Sequence, residues 1–288
     1  MYRCGATEKQ RAAFIILIDC SLSMSQPSQL GSLNFSKLEI ANLICNLIID
    51  ELVERSRAFH RICHLYDLAV LGYSQGNVIS LFTGEEPSFT PIDRLNDIIP
   101  MPTTIYNNHV DKDGTVQSVP ITYHRWINAQ ASGSTPMFEA LASVFSLADA
   151  WCHDVQNRYS FPPIVINITD GAANDSDRAS LIDISKRIQS LHTEEGNALL
   201  FNVMLTSDPI EQHVLVPNNR RFKSNNRELT TLFHMSSVIP KELEYRIGYI
   251  MVARHRGPYR AVIKDFSAVD LAAMINTGTQ SIHVIKYP

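Results

Sequence analysis

Asp19, Ser21 and Ser23 alternate along the stretch Asp19-Cys20-Ser21-Leu22-Ser23 and present one carboxylate and two hydroxyls in five residues. Such hard oxygen donors suit Mg²⁺ or Mn²⁺ rather than Zn²⁺. A third hydroxyl, Thr135, stands in Gly133-Ser134-Thr135-Pro136, directly before a helical pattern whose first residue is read as Pro136. A second carboxylate, Asp170, closes the run Ile164-Val165-Ile166-Asn167-Ile168-Thr169. Taken singly, each stretch reads better as a loop whose hydroxyls and acids cap the next helix.

These groups need a scaffold that brings distant loops together. Phe14-Ile15-Ile16-Leu17-Ile18 is an unbroken apolar run ending at Asp19. Its pattern is that of a strand buried on both faces of a parallel sheet. Asp19, Ser21 and Ser23 then fall at its carboxyl end, the edge where open α/β sheets bind ligands. Ile164–Asp170 repeats the design. Helices are expected from about Phe35 to Arg55, from Pro136 through Ala148, and from a cap at Asp175 or Ser176 through Leu191, each with an apolar stripe. Tyr66–Tyr73 and Val78–Phe82 flank the turn Ser74-Gln75-Gly76-Asn77 and predict a hairpin with an antiparallel edge strand. Ala198–Leu205 and Tyr259–Lys264 predict further strands, Lys241–Val252 a helix, Ser267 the start of a short helix, and Ser281–Tyr287 a last strand.

The three motifs, in this chain order, resemble the metal-ion-dependent adhesion site (MIDAS) of von Willebrand factor A (VWA) domains. That site is an Asp-x-Ser-x-Ser loop, a Thr before a helix and an Asp after a central strand, matched by Asp19, Ser21, Ser23, Thr135 and Asp170. The family often has Gly between the serines, where this chain has Leu22. The resemblance implies a doubly wound α/β fold with a mostly parallel central sheet, one antiparallel edge strand and helices on both faces. It implies one domain over residues 1–288, with a core of about 12–240, an insertion at about 84–131 and a C-terminal extension at about 241–288. It also implies a bound Mg²⁺ or Mn²⁺, held directly by the hydroxyls of Ser21, Ser23 and Thr135, with Asp19 and Asp170 acting through water. A vacant position would then take a Glu or Asp side chain from a partner protein. Met235–Pro240 and Ile275–Gln280 resemble cytosolic bacterial VWA proteins of tellurite-resistance and stress operons, which implies a bacterial stress or defence setting.

Composition sets bounds on this reading. The chain is 288 residues long, 45% hydrophobic and 19% charged, with a net charge of −4. That is a globular composition without the basic footprint of a nucleic-acid or membrane-surface binder. Five scattered cysteines, a polar start with no apolar leader and no run long enough to span a bilayer predict a reduced, cytoplasmic protein. Residues 83–131 carry five prolines and a turn at Asp111–Gly114, and predict an excursion on the metal-binding face with a small hairpin. Tyr123, His124 and Trp126 are read either as part of that rim or as packing. His60, Cys63 and His64 lack the second ligand pair a zinc site needs. Pro217–Arg227 reads as a basic, solvated loop. An enzyme alternative is a Mg²⁺-dependent phosphatase with Asp19 as nucleophile, although Ser21 stands where such enzymes want a second Asp; another is a metal-independent scaffold. The expectation is a binding module and not an enzyme.

Overall fold

The computed structural model describes residue 2 and residues 5–30, 33–58, 60–110, 116–207, 214–215, 217–244 and 257–265. Strand β1 (Ala12–Asp19) is buried at every residue, as its unbroken apolar run requires. Two short strands follow, β2 (Pro27–Leu30) and β3 (Leu33–Ser36), paired antiparallel. Helix α1 (Lys37–Ser56) starts two residues after the expected Phe35. Ser36 and Glu39 set the boundary with a capping box: Ser36 Oγ accepts the Glu39 N–H at 3.2 Å, and the Ser36 N–H donates to Glu39 Oε2 at 2.7 Å.

β4 (Tyr66–Ser74) and β5 (Asn77–Ser80) form the expected hairpin about Gln75-Gly76. The excursion is more ordered than its prolines suggest. β6 (Pro102–Val110) and β7 (Val116–His124) are nine-residue strands in one antiparallel ribbon, with Pro102 at a strand start and Pro120 in a two-stranded sheet where one edge needs no donor. The turn expected at Asp111–Gly114 lies outside the described residues. Then come α2 (Met137–His153), β8 (Ile164–Thr169), α3 (Arg178–Ser190), β9 (Leu199–Met204), β10 (Val214–Leu215), α4 (Arg227–Met235) and β11 (Val262–Lys264). α4 takes its cap from Asn226 and so shortens the basic loop at its far end. Most of the expected helix at Lys241–Val252, and all of the elements expected after Asp265, fall outside the described residues.

The central sheet is mostly parallel. β1 lies between β4 and β8, followed by β9 and then β11, all parallel, with β5 as the antiparallel edge strand. Short antiparallel pairings are added by Thr90–Pro91 on β4 and by β10 on β11. In chain order the five parallel strands lie 2-1-3-4-5, so the winding reverses between β1 and β8. Alternate β1 side chains enter two cores. Phe14, Ile16 and Ile18 pack with α1 on one face, and Ile15 and Leu17 with α2, α3 and α4 on the other. The fold is thus the expected doubly wound, mostly parallel α/β arrangement. Among the described residues no helix is long and apolar enough to cross a membrane.

The return from the ribbon is moored on α1. Asn42, Asn46 and Asp50 recur every four residues and so share one helix face. Asn46 pairs with both backbone groups of Ile127, and Asn42 with both of Ala129, at 2.9 to 3.1 Å. Asp50 accepts from the His124 backbone N–H at 2.8 Å and from Trp126 Nε1 at 2.7 Å. His124 and Trp126 are therefore packing residues of the excursion. Its base sits on the flank of α1, and residues 126–132 lead from there to the edge of the sheet.

Candidate metal centre

The reversal between β1 and β8 opens a crevice at their carboxyl ends, where doubly wound sheets bind ligands. Asp19 is the last residue of β1 and is completely buried. Ser21 follows it, and Leu22–Ser25 form one turn of 3-10 helix that carries Ser23. The Ser21 N–H donates to Asp19 Oδ1 at 2.9 Å, and the Ser21 and Ser23 hydroxyls lie 3.1 Å apart. Thr135 and Asp170 arrive on two other loops.

Hydrogen bonds lace these loops together in pairs. The Ser132 N–H donates to the Cys20 carbonyl at 2.7 Å and the Leu22 N–H to the Gly133 carbonyl at 3.0 Å, joining the first loop to the second. Gly133 has φ of +58°, and a Cβ there would stand 2.0 Å from the Gln75 side chain, so the approach demands glycine. The Thr135 N–H donates to Asn174 Oδ1 at 2.9 Å, and the Asn174 N–H returns to the Thr135 carbonyl at 3.1 Å, joining the second loop to the third. Thr169 Oγ1 donates to Asp19 Oδ2 at 2.8 Å and closes the triangle. Asp19, Ser21, Ser23, Thr135 and Asp170 are thus carried by three interlocked loops at one edge of the sheet.

Burial pushes the Asp19 carboxyl up to about 6, against the lowering effect of its hydrogen bonds from Ser21 and Thr169, and the Asp170 charge adds to the rise. The group is ionised at neutral pH but poorly compensated within its own pocket. A donor set of three neutral hydroxyls and two carboxylates, one of them short of compensation, fits a small hard divalent cation.

Four residues of this edge are not legible as site residues in the sequence. Thr169 reads as the last residue of an apolar strand, and Asn174 as a turn residue. Lys37, the first residue of α1, is 5% exposed and reaches Asp170 Oδ2 at 3.2 Å and Gln26 Oε1 at 3.0 Å. Nothing local marks Lys37 or Gln26, because Asp170 lies 133 residues further on.

The acids near Asp170 have other partners. Asp175 Oδ2 accepts the Glu139 N–H in the first turn of α2 at 3.1 Å, and Asp177 caps α3 by accepting the Ser180 N–H at 2.8 Å. The cap of α3 is therefore Asp177 instead of Asp175 or Ser176. Pro136 likewise stands at the cap position of α2, one residue before the helix. At the discounted zinc cluster, His64 is paired with Asp67 at 2.7 Å and Cys63 is buried. Among the described residues no group of three or more His, Cys, Asp or Glu side chains could hold a metal.

No family model matches the chain, and no curated protein matches it. Solved structures do. A von Willebrand factor type A protein from Catenulispora acidiphila is 16% identical, over 68% of this chain and 33% of that one, with a TM-score of 0.38. An aerotolerance-related membrane protein from Bacteroides fragilis is 10% identical, over 93% of this chain and 98% of that one, with a TM-score of 0.39. Three N-terminal domains of the type V pili tip protein Mfa5 from Porphyromonas gingivalis are 12% identical, over 57% of this chain and 20% of that one, with a TM-score of 0.34. The chain therefore spans a third of the length of the Catenulispora protein.

Proposed function

We propose that the chain is a divalent-cation-dependent protein-interaction module. Asp19, Ser21, Ser23, Thr135 and Asp170 hold Mg²⁺ or Mn²⁺, and the ion accepts a Glu or Asp side chain from a partner protein. One observation carries this reading: three loops distant in sequence are hydrogen-bonded to one another at the reversal of the sheet, and each brings oxygen donors of the type a hard cation takes. An inner sphere of neutral hydroxyls would leave the ion electrophilic, which favours an anionic oxygen from outside. The resemblance of the motifs to VWA adhesion sites points the same way, and the separate resemblance of Met235–Pro240 and Ile275–Gln280 to cytosolic bacterial VWA proteins extends the reading to a cytoplasmic bacterial protein of a stress or defence system.

Binding is favoured over catalysis by the state of Asp19. A phosphatase nucleophile must present a carboxylate oxygen directly to its substrate; Asp19 is fully buried and both its oxygens accept hydrogen bonds, an arrangement suited to reaching an ion through water and not to direct attack.

The test is Mn²⁺ binding, followed by electron paramagnetic resonance, of wild type, Ser21→Ala and Thr135→Ala, each checked for folding. It is paired with pull-downs from the native host in Mg²⁺ and in chelator. Loss of Mn²⁺ binding in both variants, with a partner retained only by metallated wild type, is the expected result. Equal Mn²⁺ binding in all three proteins would refute the assigned ligands. The same partner retained in chelator would make the protein a metal-independent scaffold.

A further inference from the structure

Lys37 is in an unfavourable place for a lysine. It is the first residue of a 20-residue helix, where the helix dipole repels a cation, and its side chain is only 7% exposed. A buried ammonium needs compensation. Asp170, itself 8% exposed in its side chain, supplies the charge at 3.2 Å, and Gln26 Oε1 supplies a neutral acceptor at 3.0 Å. Asp170 Oδ1 is held separately by the Ala172 N–H at 3.3 Å. The lysine therefore spends its charge on the carboxylate that the proposed metal would also use.

We propose that Lys37 is a built-in competitor of the divalent cation, lowering metal affinity and leaving the loaded site with a net positive charge that attracts a carboxylate. This rests on the metal-binding reading above. The two carboxylates and the ammonium leave the empty constellation with one negative charge. A divalent ion turns that into one positive charge, and an incoming Glu or Asp neutralises it. Without Lys37 the loaded site would already be neutral, and a partner's carboxylate would make it negative. The lysine thus weakens the first binding event and strengthens the second.

Lys37→Gln tests this, because an amide can still donate to Asp170 without carrying charge. Two quantities are measured on the full chain: Mn²⁺ affinity by electron paramagnetic resonance, and displacement of water from bound Mn²⁺ by acetate, read from water-proton relaxation. The expected result is Mn²⁺ binding about tenfold tighter or more in Lys37→Gln, as removing a unit charge a few ångströms from a divalent ion implies. Acetate should at the same time bind the loaded variant several-fold more weakly than the loaded wild type. A purely structural lysine would not move the two affinities in opposite directions. Mn²⁺ affinity unchanged or weakened in Lys37→Gln would overturn the proposal and leave the metal site standing, with Lys37 merely positioning Asp170. Absence of Mn²⁺ binding in both proteins would overturn the metal reading and this proposal with it. If Lys37→Gln does not fold, Lys37→Met keeps the aliphatic stem and is read by the same outcomes.

Discussion

Asp19 is a carboxyl group that the folded chain takes almost entirely out of water, and that choice has a measurable signature. Burial raises it to about 6 from an ordinary 3.8, so the folded state holds its proton more tightly than the unfolded chain does. Stability of the metal-free protein should therefore fall as pH rises from about 4 to about 6, by roughly 3 kcal/mol, and change little above that. A divalent cation favours the ionised form. Added Mg²⁺ should thus restore stability at pH 7 to 8 and have little effect below pH 5. Urea unfolding across this range, in chelator and in Mg²⁺, measures both effects. Asp19→Asn should flatten the metal-free profile, keep an acceptor for the Ser21 N–H or the Thr169 hydroxyl, and abolish the response to Mg²⁺. A slope that survives in Asp19→Asn would assign the titration to another group. At the same scale, Gly171 has φ of +91°, and a Cβ there would meet Glu228 Cβ at 2.8 Å, so Gly171→Ala should strain the Asp170 loop.

Elements bring these residues together, and α1 does more of that than its apolar stripe indicates. Its Asn42, Asn46 and Asp50 face receives the backbone of residues 124–129 much as a neighbouring strand would. That segment leads directly to Ser132, which bonds to the first site loop. Asn46→Ala would leave both the N–H and the carbonyl of Ile127 unpaired in a buried setting, at a cost of roughly 2–3 kcal/mol. It should also loosen the ribbon's return, giving faster amide exchange across residues 126–132, whereas Ser36→Ala should cost only about 1 kcal/mol by removing the cap of α1. Urea unfolding and hydrogen exchange distinguish the two. This contrast also marks what the sequence discloses. β1, β8 and the helices announce themselves, because a strand buried on both faces needs an unbroken apolar run and a helix on a sheet needs a stripe. Asp19, Ser21, Ser23 and Asp170 stand where such strands end and Thr135 just before such a helix begins, so the loops that carry them meet at one edge of the sheet. The β6–β7 ribbon shows in the sequence only as a small hairpin about Asp111–Gly114; its nine-residue strands stay hidden because prolines mask their alternation and α1 supports the ribbon's return with polar groups. Lys37 stays hidden because its partner is remote.

At the scale of the whole molecule, the parallel sheet is also held by a buried polar chain crossing beneath the site. Tyr73 on β4 donates to Asn167 Oδ1 at 3.1 Å, Asn167 Nδ2 to Asn202 Oδ1 at 2.9 Å, and Asn202 Nδ2 to Ser236 Oγ at 2.9 Å. Ser236 Oγ in turn donates to the Leu232 carbonyl at 2.7 Å. β8 and β9 are in register at Asn167 and Asn202, so the chain runs perpendicular to the strands and ends by fastening α4. An apolar strand reading does not foresee it, yet every described member is buried and paired, the condition under which such a network stabilises a fold. Asn202→Ala removes the central link and leaves Asn167 Nδ2 and Ser236 Oγ short of a partner, which should cost roughly 3 kcal/mol. The site should tolerate that loss, because its loops are joined by their own hydrogen bonds and Asn202 makes none of them. Calorimetry should therefore show a lowered Tm for Asn202→Ala, while Mn²⁺ affinity at 25 °C stays within a few-fold of wild type. If affinity falls as steeply as in Ser21→Ala, the polar chain is part of what shapes the site, and the separation of scaffold from site is wrong.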